Sequence, residues 1–227
     1  MRHLLNKILS KLRVSRLAWH DLKSIHPISR MFGLDRGAPI DRYYIENFLS
    51  RHRTYIRGSV LEVADSRYTQ TFGSHVTAYE VLHVEKSDQA TIIGDLTKSD
   101  TLPANHFDCF ICTQVLNFIF DFPQAIAGIH QVLKPGGIVL ATVSGISQVS
   151  RYDADRWGHF WSFYPQGIER AFKQVFGDDN VTIQTFGNSL AAISFVKGIA
   201  QDELSKEELD FNDPDYPVSI TICARKA

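Results

Sequence analysis

A chain of 227 residues, 44% hydrophobic and 22% charged, holds enough apolar material for one sizeable core and has the composition of an ordinary globular domain. Its 24 Lys and Arg against 25 Asp and Glu leave a formal charge of −1, which excludes the overall basic field expected of a nucleic-acid binder. The three cysteines, Cys109, Cys112 and Cys223, are too few for a disulfide scaffold and suit a reducing, cytoplasmic setting.

The first segment, MRHLLNKILSKLRVSRLAWH, sets Leu5, Ile8 and Leu12 on one side of a helix, with Lys7, Lys11 and Arg13 around them. Charge interrupts each apolar run, so residues 1–20 read as neither signal peptide nor spanning helix. They suit docking on the protein body or a peripheral contact with an anionic membrane surface. Residues 1–30 carry seven basic and one acidic side chain, and residues 201–215 seven acidic and one basic, an asymmetry that draws the ends together. FGLDRGAPIDRYYIENFLSRH follows, with turns at Gly33, Gly37 and Pro39 and a helix through Tyr44, Ile45 and Phe48 that Asp41 can cap. Arg36, Tyr43 and Tyr44, on this N-terminal helical extension of residues 1–55, suit a lid or, nearly equally, ordinary helix-face packing.

From residue 58 the pattern becomes short apolar runs between turns and helical stretches. GSVLEVA, VTAYEVL, ATIIGD, FDCFICT, GGIVLATV, VTIQTF and PVSITICA are seven strand candidates, and FPQAIAGIHQVLK and PQGIERAFKQVFG read as helices. Cys109 and Cys112, three apart on one strand, point to opposite faces and hold no metal or redox pair between them. Alternating strands and helices imply a mostly parallel sheet covered on both faces, with ligands bound beyond the carboxyl ends of the strands. By this reading the strands end at Ala64-Asp65, Glu80, Asp95, Thr113-Gln114 and Val143-Ser144, and three acids line one edge.

These stretches together resemble a class I S-adenosylmethionine-dependent methyltransferase of the small-molecule, methyltransferase type 11-like branch. The matching residues are VLEVAD, Glu80, GDL with Asp95, FDCFICTQVLNFI and VLKPGGIVLATV, and the likeness covers residues 58–187. The flanks FGLDRGAPIDRYYIENFL and SRYDADRWGHFWSF resemble a bacterial subgroup associated with sugar and cell-surface polysaccharide genes. The resemblance implies an α/β, Rossmann-like sheet of seven strands with the last antiparallel, in a methyltransferase domain over residues 56–227. It implies S-adenosyl-L-methionine as cofactor and S-adenosyl-L-homocysteine as product. Glu62 would lie beneath the methionyl amine, Ala64 and Asp65 against the cofactor, Glu80 at the ribose, Asp95 and Leu96 at the adenine, and Thr113 and Gln114 beside the sulfonium.

Two departures stand out. Ala64, Ser66 and Tyr68 occupy the three glycine places of the family's first turn, and Ala64 to Glu80 spans only 16 positions, room for about one helical turn. The turn's backbone amides are still expected to face a ligand. Asn117 stands where relatives often carry histidine, so no base is assigned there.

GISQVSRYDADRWGHFWSFYPQG, residues 145–167, interleaves aromatics with charges and suits a sugar ring or, equally, a packed cap. His159 and Asp153 are the candidate catalytic bases, and Arg151, Tyr152, Trp157, Trp161, Tyr43 and Tyr44 the substrate-binding candidates. The expected function is O-methylation of a saccharide or related small molecule, with no metal and no nucleic-acid partner. The alternative is a catalytically silent binding or scaffold protein beside a glycosyltransferase. An NAD-dependent oxidoreductase is disfavoured by the absent pyrophosphate-binding glycines.

Overall fold

The computed structural model describes residues 23–227, so the amphipathic reading of residues 1–20 lies outside the described residues. Seven strands form one sheet in the order β3-β2-β1-β4-β5-β7-β6. They are β1 (Gly58–Val63), β2 (Val76–His83), β3 (Ile92–Ile93), β4 (Phe107–Thr113), β5 (Leu133–Ser144), β6 (Val181–Phe186) and β7 (Ser219–Arg225). The first five pair in parallel, whereas β7 runs antiparallel to both β5 and β6. All seven strand candidates and both helix candidates are present. The helices are α1 (Ile40–Arg51), α2 (Arg67–Phe72), α3 (Phe122–Val132), α4 (Arg151–Ala154), α5 (Pro165–Phe176), α6 (Ser189–Lys197) and α7 (Lys206–Asp210).

The strands are apolar on both faces because helices cover both. On one side Val60, Cys109, Ile111 and Leu140 pack with Ile45, Phe48 and Leu49 of α1. On the other, Phe110, Cys112 and Val139 meet Ile126 and Ile129 of α3 and Phe172 of α5. Cys109 and Cys112 therefore do lie on opposite faces, and burial pushes both thiols up, out of reach of reactive thiolate chemistry.

The FD and LKPGG pieces prove to be parts of one structural clasp. Lys134 Nζ donates to Asp108 Oδ2 at 2.8 Å, and the same oxygen accepts the Ser59 N–H at 2.8 Å, tying β1, β4 and β5 at the amino-terminal end of the sheet. Gly58 makes room for this: a Cβ there would lie 2.4 Å from Asp108 Oδ2. α3 gives way directly to β5, so the Lys-Pro-Gly expected to end the helix begins the strand instead.

Three expectations about local geometry are corrected. β2 does not end at Glu80; it runs to His83, and Glu80 sits opposite Leu61 in mid-sheet. The first acid beyond the strand is Glu85. The N-cap of α1 is Pro39, not Asp41, which lies in the first turn of the helix. Finally, Tyr43 and Tyr44 form no lid: Tyr43 Oη donates to Asp210 Oδ1 at 2.5 Å, and Tyr44, buried against Phe186, donates to the Leu209 carbonyl at 3.1 Å. With the bidentate Arg36–Glu203 pair (2.8 and 2.6 Å), these bonds fasten the described N-terminal segment to the acidic C-terminal one.

Candidate functional site

The sheet order reverses between β1 and β4, and a cleft of about 320 Å³ opens beyond the carboxyl ends of β4 and β5. Its lining comes from Thr113 and Gln114 at the end of β4, Tyr68 of α2, Asp41 and Arg42 of α1, and Phe118, Ser150, Asp153 and His159. A larger open groove, about 580 Å³, follows the solvent face of α5 and is lined by its charged side chains, with no convergence of groups from different elements.

Four sequence-predicted site residues therefore converge: Thr113, Gln114, Asp153 and His159. Gln114 adopts a left-handed conformation (φ 55°), its N–H donates to the Thr142 carbonyl at 2.8 Å, and its side-chain Nε2 is buried without a hydrogen-bond partner among the described residues. His159 Nδ1 accepts the Ser150 N–H at 3.2 Å, which puts the neutral ring's proton on Nε2. Burial lowers its pKa, outweighing the attraction of Asp153. Asp153 Oδ2 accepts the Ser150 hydroxyl at 2.5 Å.

The first turn is built differently from expectation. Ala64 has a φ of 71°, the conformation for which glycine is ordinarily used. Glu62, only 3% exposed, accepts the N–H groups of Tyr68 (3.0 Å) and Thr69 (2.7 Å) and the Thr69 hydroxyl (2.7 Å), capping α2. The Ala64 N–H goes to the Leu82 carbonyl, the Asp65 N–H to the Val63 carbonyl and the Arg67 N–H to Asp65 Oδ1. From Ala64 to Thr69 only the Ser66 N–H has no partner among the described residues, so the turn's amides do not face a ligand as expected. Tyr68 packs beside Phe72 (6.1 Å between rings) and against the core cluster around α1, and it lines the cleft.

The remaining candidates stand elsewhere. Asp95 Oδ1 accepts from Thr97 N (2.9 Å) and Oγ1 (2.7 Å), and Oδ2 lies 3.4 Å from Lys98 Nζ. Burial opposes its charge, but those partners outweigh it and hold the carboxyl below its ordinary range. Leu96 is buried, with its carbonyl against Gly128 of α3. Trp161 donates its indole N–H to the Ile119 and Phe120 carbonyls, both at 3.1 Å, and packs on the core as a cap residue. Tyr152 is exposed beneath the Arg156 guanidinium, Arg151 pairs with Asp155, and Trp157 stands edge-on to His83 at the end of β2.

Sequence reasoning missed Asp41 and Arg42 as cleft residues, because a helix outside the strand pattern carries them. It also ended the second strand too early, although the apolar run Val81, Leu82, Val84 signals a strand continuing past Glu80. Asn117 does not serve as a base: 1% exposed, it donates to the Trp161 carbonyl at 2.8 Å and accepts the Ser144 N–H at 3.2 Å, clipping the loop after β5 to the turn after β4.

Residues 57–141 match the family model described as a methyltransferase domain. No curated protein matches the chain in sequence. Among solved structures, a SAM dependent methyltransferase from Archaeoglobus fulgidus is similar at a TM-score of 0.52 and 13% identity, covering 82% of this chain and 94% of that one. An S-adenosylmethionine dependent methyltransferase from Mesorhizobium loti gives 0.50 and 16%, covering 86% and 100%. The cyclase SpnF gives 0.53 and 16%, covering 89% and 87%. At these identities the likeness concerns the fold, which hosts more than one chemistry. Residues 57–141 thus match a methyltransferase domain, within a chain whose sheet has the Rossmann-like fold of class I methyltransferases.

Proposed function

We propose that the protein transfers a methyl group from S-adenosylmethionine to a small-molecule acceptor, a hydroxyl of a saccharide or related precursor. The observation that carries this reading is the cleft's position, at the point where strand order reverses and at the carboxyl edge where open α/β sheets bind ligands. The residues present suit a nucleoside sulfonium. Glu85, 21 positions after Ala64, is the exposed acid that would take the ribose hydroxyls in place of Glu80. Gln114 Nε2 supplies a buried donor without a partner among the described residues.

When bound, S-adenosylmethionine supplies the electrophilic methyl and departs as S-adenosylhomocysteine. The chain's part is to align the acceptor in a dry cleft and take its proton. Asp153 is the proton acceptor, since His159, with Nδ1 engaged and Nε2 protonated, is set to donate and orient. Phe120, Phe160 and Tyr164, 69%, 45% and 75% exposed and near cleft residues Phe118 and His159 in the chain, offer stacking faces for a sugar ring.

Titration calorimetry with S-adenosylhomocysteine tests the reading. Wild type binds, Glu85→Ala weakens binding by about tenfold or more, and Glu80→Ala leaves it unchanged. Absence of binding to wild type at sub-millimolar protein overturns the proposal.

A further inference from the structure

The cleft contains an acid and a base side by side that make no ion pair among the described residues. These are Asp41 and Arg42, consecutive in the first turn of α1. Both are partly buried, so neither charge is fully compensated by water. Two opposite charges lining one concave site match a ligand carrying both signs on neighbouring atoms.

An α-amino acid is such a ligand, and S-adenosylmethionine ends in one. The β1–α2 turn has little to offer that end: Glu62 is spent on Tyr68 and Thr69, and the turn's amides are bonded internally with Ser66 alone excepted. Asp41 and Arg42 line the cleft together with Tyr68 of α2, whose phenol lies close enough to feel both charges.

We infer that α1 takes over this role: the Asp41 carboxylate receives the ammonium of the donor's methionyl end, and the Arg42 guanidinium receives its carboxylate. The loss of glycines from the turn and the placement of α1 on the cleft are then one change. The part of the chain that precedes the matched domain completes the cofactor site. The inference rests on the proposed methyl donor and goes beyond it in assigning this subsite.

Calorimetry with two ligands tests it on the full chain. S-adenosylhomocysteine carries the amino acid; 5′-methylthioadenosine shares the nucleoside and thioether but lacks it. Asp41→Asn and Arg42→Gln each weaken S-adenosylhomocysteine by about tenfold or more and leave 5′-methylthioadenosine unchanged. Unchanged S-adenosylhomocysteine affinity in both variants overturns the inference while the donor stands. Equal loss of both ligands also overturns it, since it marks a structural effect. If wild type binds neither ligand, the donor reading fails and the inference with it.

Discussion

At the scale of single residues, Asp41 carries a measurable penalty. Burial, only partly offset by backbone N–H groups and the Arg42 guanidinium, pushes its carboxyl up to about 6 from an ordinary 3.8. The folded protein then holds this proton more tightly than the unfolded chain does. Stability therefore falls as pH rises from about 3.8 through about 6, and above that the whole cost of the buried charge remains, at most about 3 kcal/mol. Charged and titratable groups lining the same cleft are Arg42 on its own helix, Tyr68 from α2, and Asp153 and His159. Asp41→Asn keeps the shape without the charge, so at pH 7.5 it raises stability by about 1–3 kcal/mol, roughly 3–10 °C in Tm. The gain disappears near pH 4, as scanning calorimetry at the two pH values would show; a lower Tm at pH 7.5 would refute the assignment. A carboxylate that destabilises the free protein is what a binding site retains for a cationic partner. Composition could not reveal it, because Asp41 reads as an ordinary helix-start acid until the cleft around it is seen. Ala64 is the opposite case: its glycine place in the sequence marks a left-handed φ that the alanine does adopt.

The elements were legible where period and punctuation agreed, and less so where one strand outlasted its apparent end. Glu80 reads as a strand end in the sequence although the apolar Val81, Leu82 and Val84 follow it, and the parallel register with β1 carries β2 to His83. Loop 145–164 was legible in composition but not in placement. Its aromatics divide between packing (Trp161, Phe163) and exposed faces (Tyr152, Phe160, Tyr164), a division set by tertiary contacts. What fixes the loop is Asn117, whose side chain bonds the backbone of both strand β5 and the loop. Asn117→Ala leaves the Ser144 N–H and Trp161 carbonyl without these partners in a buried site. The expected loss is about 2–4 kcal/mol by chemical denaturation, with the m-value unchanged. A loss under about 0.5 kcal/mol would show that the clip does not hold the loop.

At the scale of the whole molecule, α1 belongs to the core as much as any strand does. Ile40, Tyr44, Ile45, Phe48 and Leu49 are all 4% exposed or less, and three of them close the face of Val60, Cys109, Ile111 and Leu140. The change of pattern at residue 58 suggested a boundary near 55, and the family match begins at 57, yet neither reflects where apolar surface is covered. A strand pattern marks the start of a sheet; it does not say which earlier helix caps it, since that depends on contacts distant in sequence. At about 1.5–3 kcal/mol for each large buried side chain, losing α1 forfeits about 8–15 kcal/mol, as much as a typical domain's entire stability. A fragment of residues 56–227 should therefore show no cooperative thermal transition by circular dichroism and no binding of 5′-methylthioadenosine, even though it retains every residue matched to the methyltransferase domain. A fragment that melts cooperatively within a few degrees of the full chain would make α1 an appendage, and its residues could not then be fixed parts of the cleft.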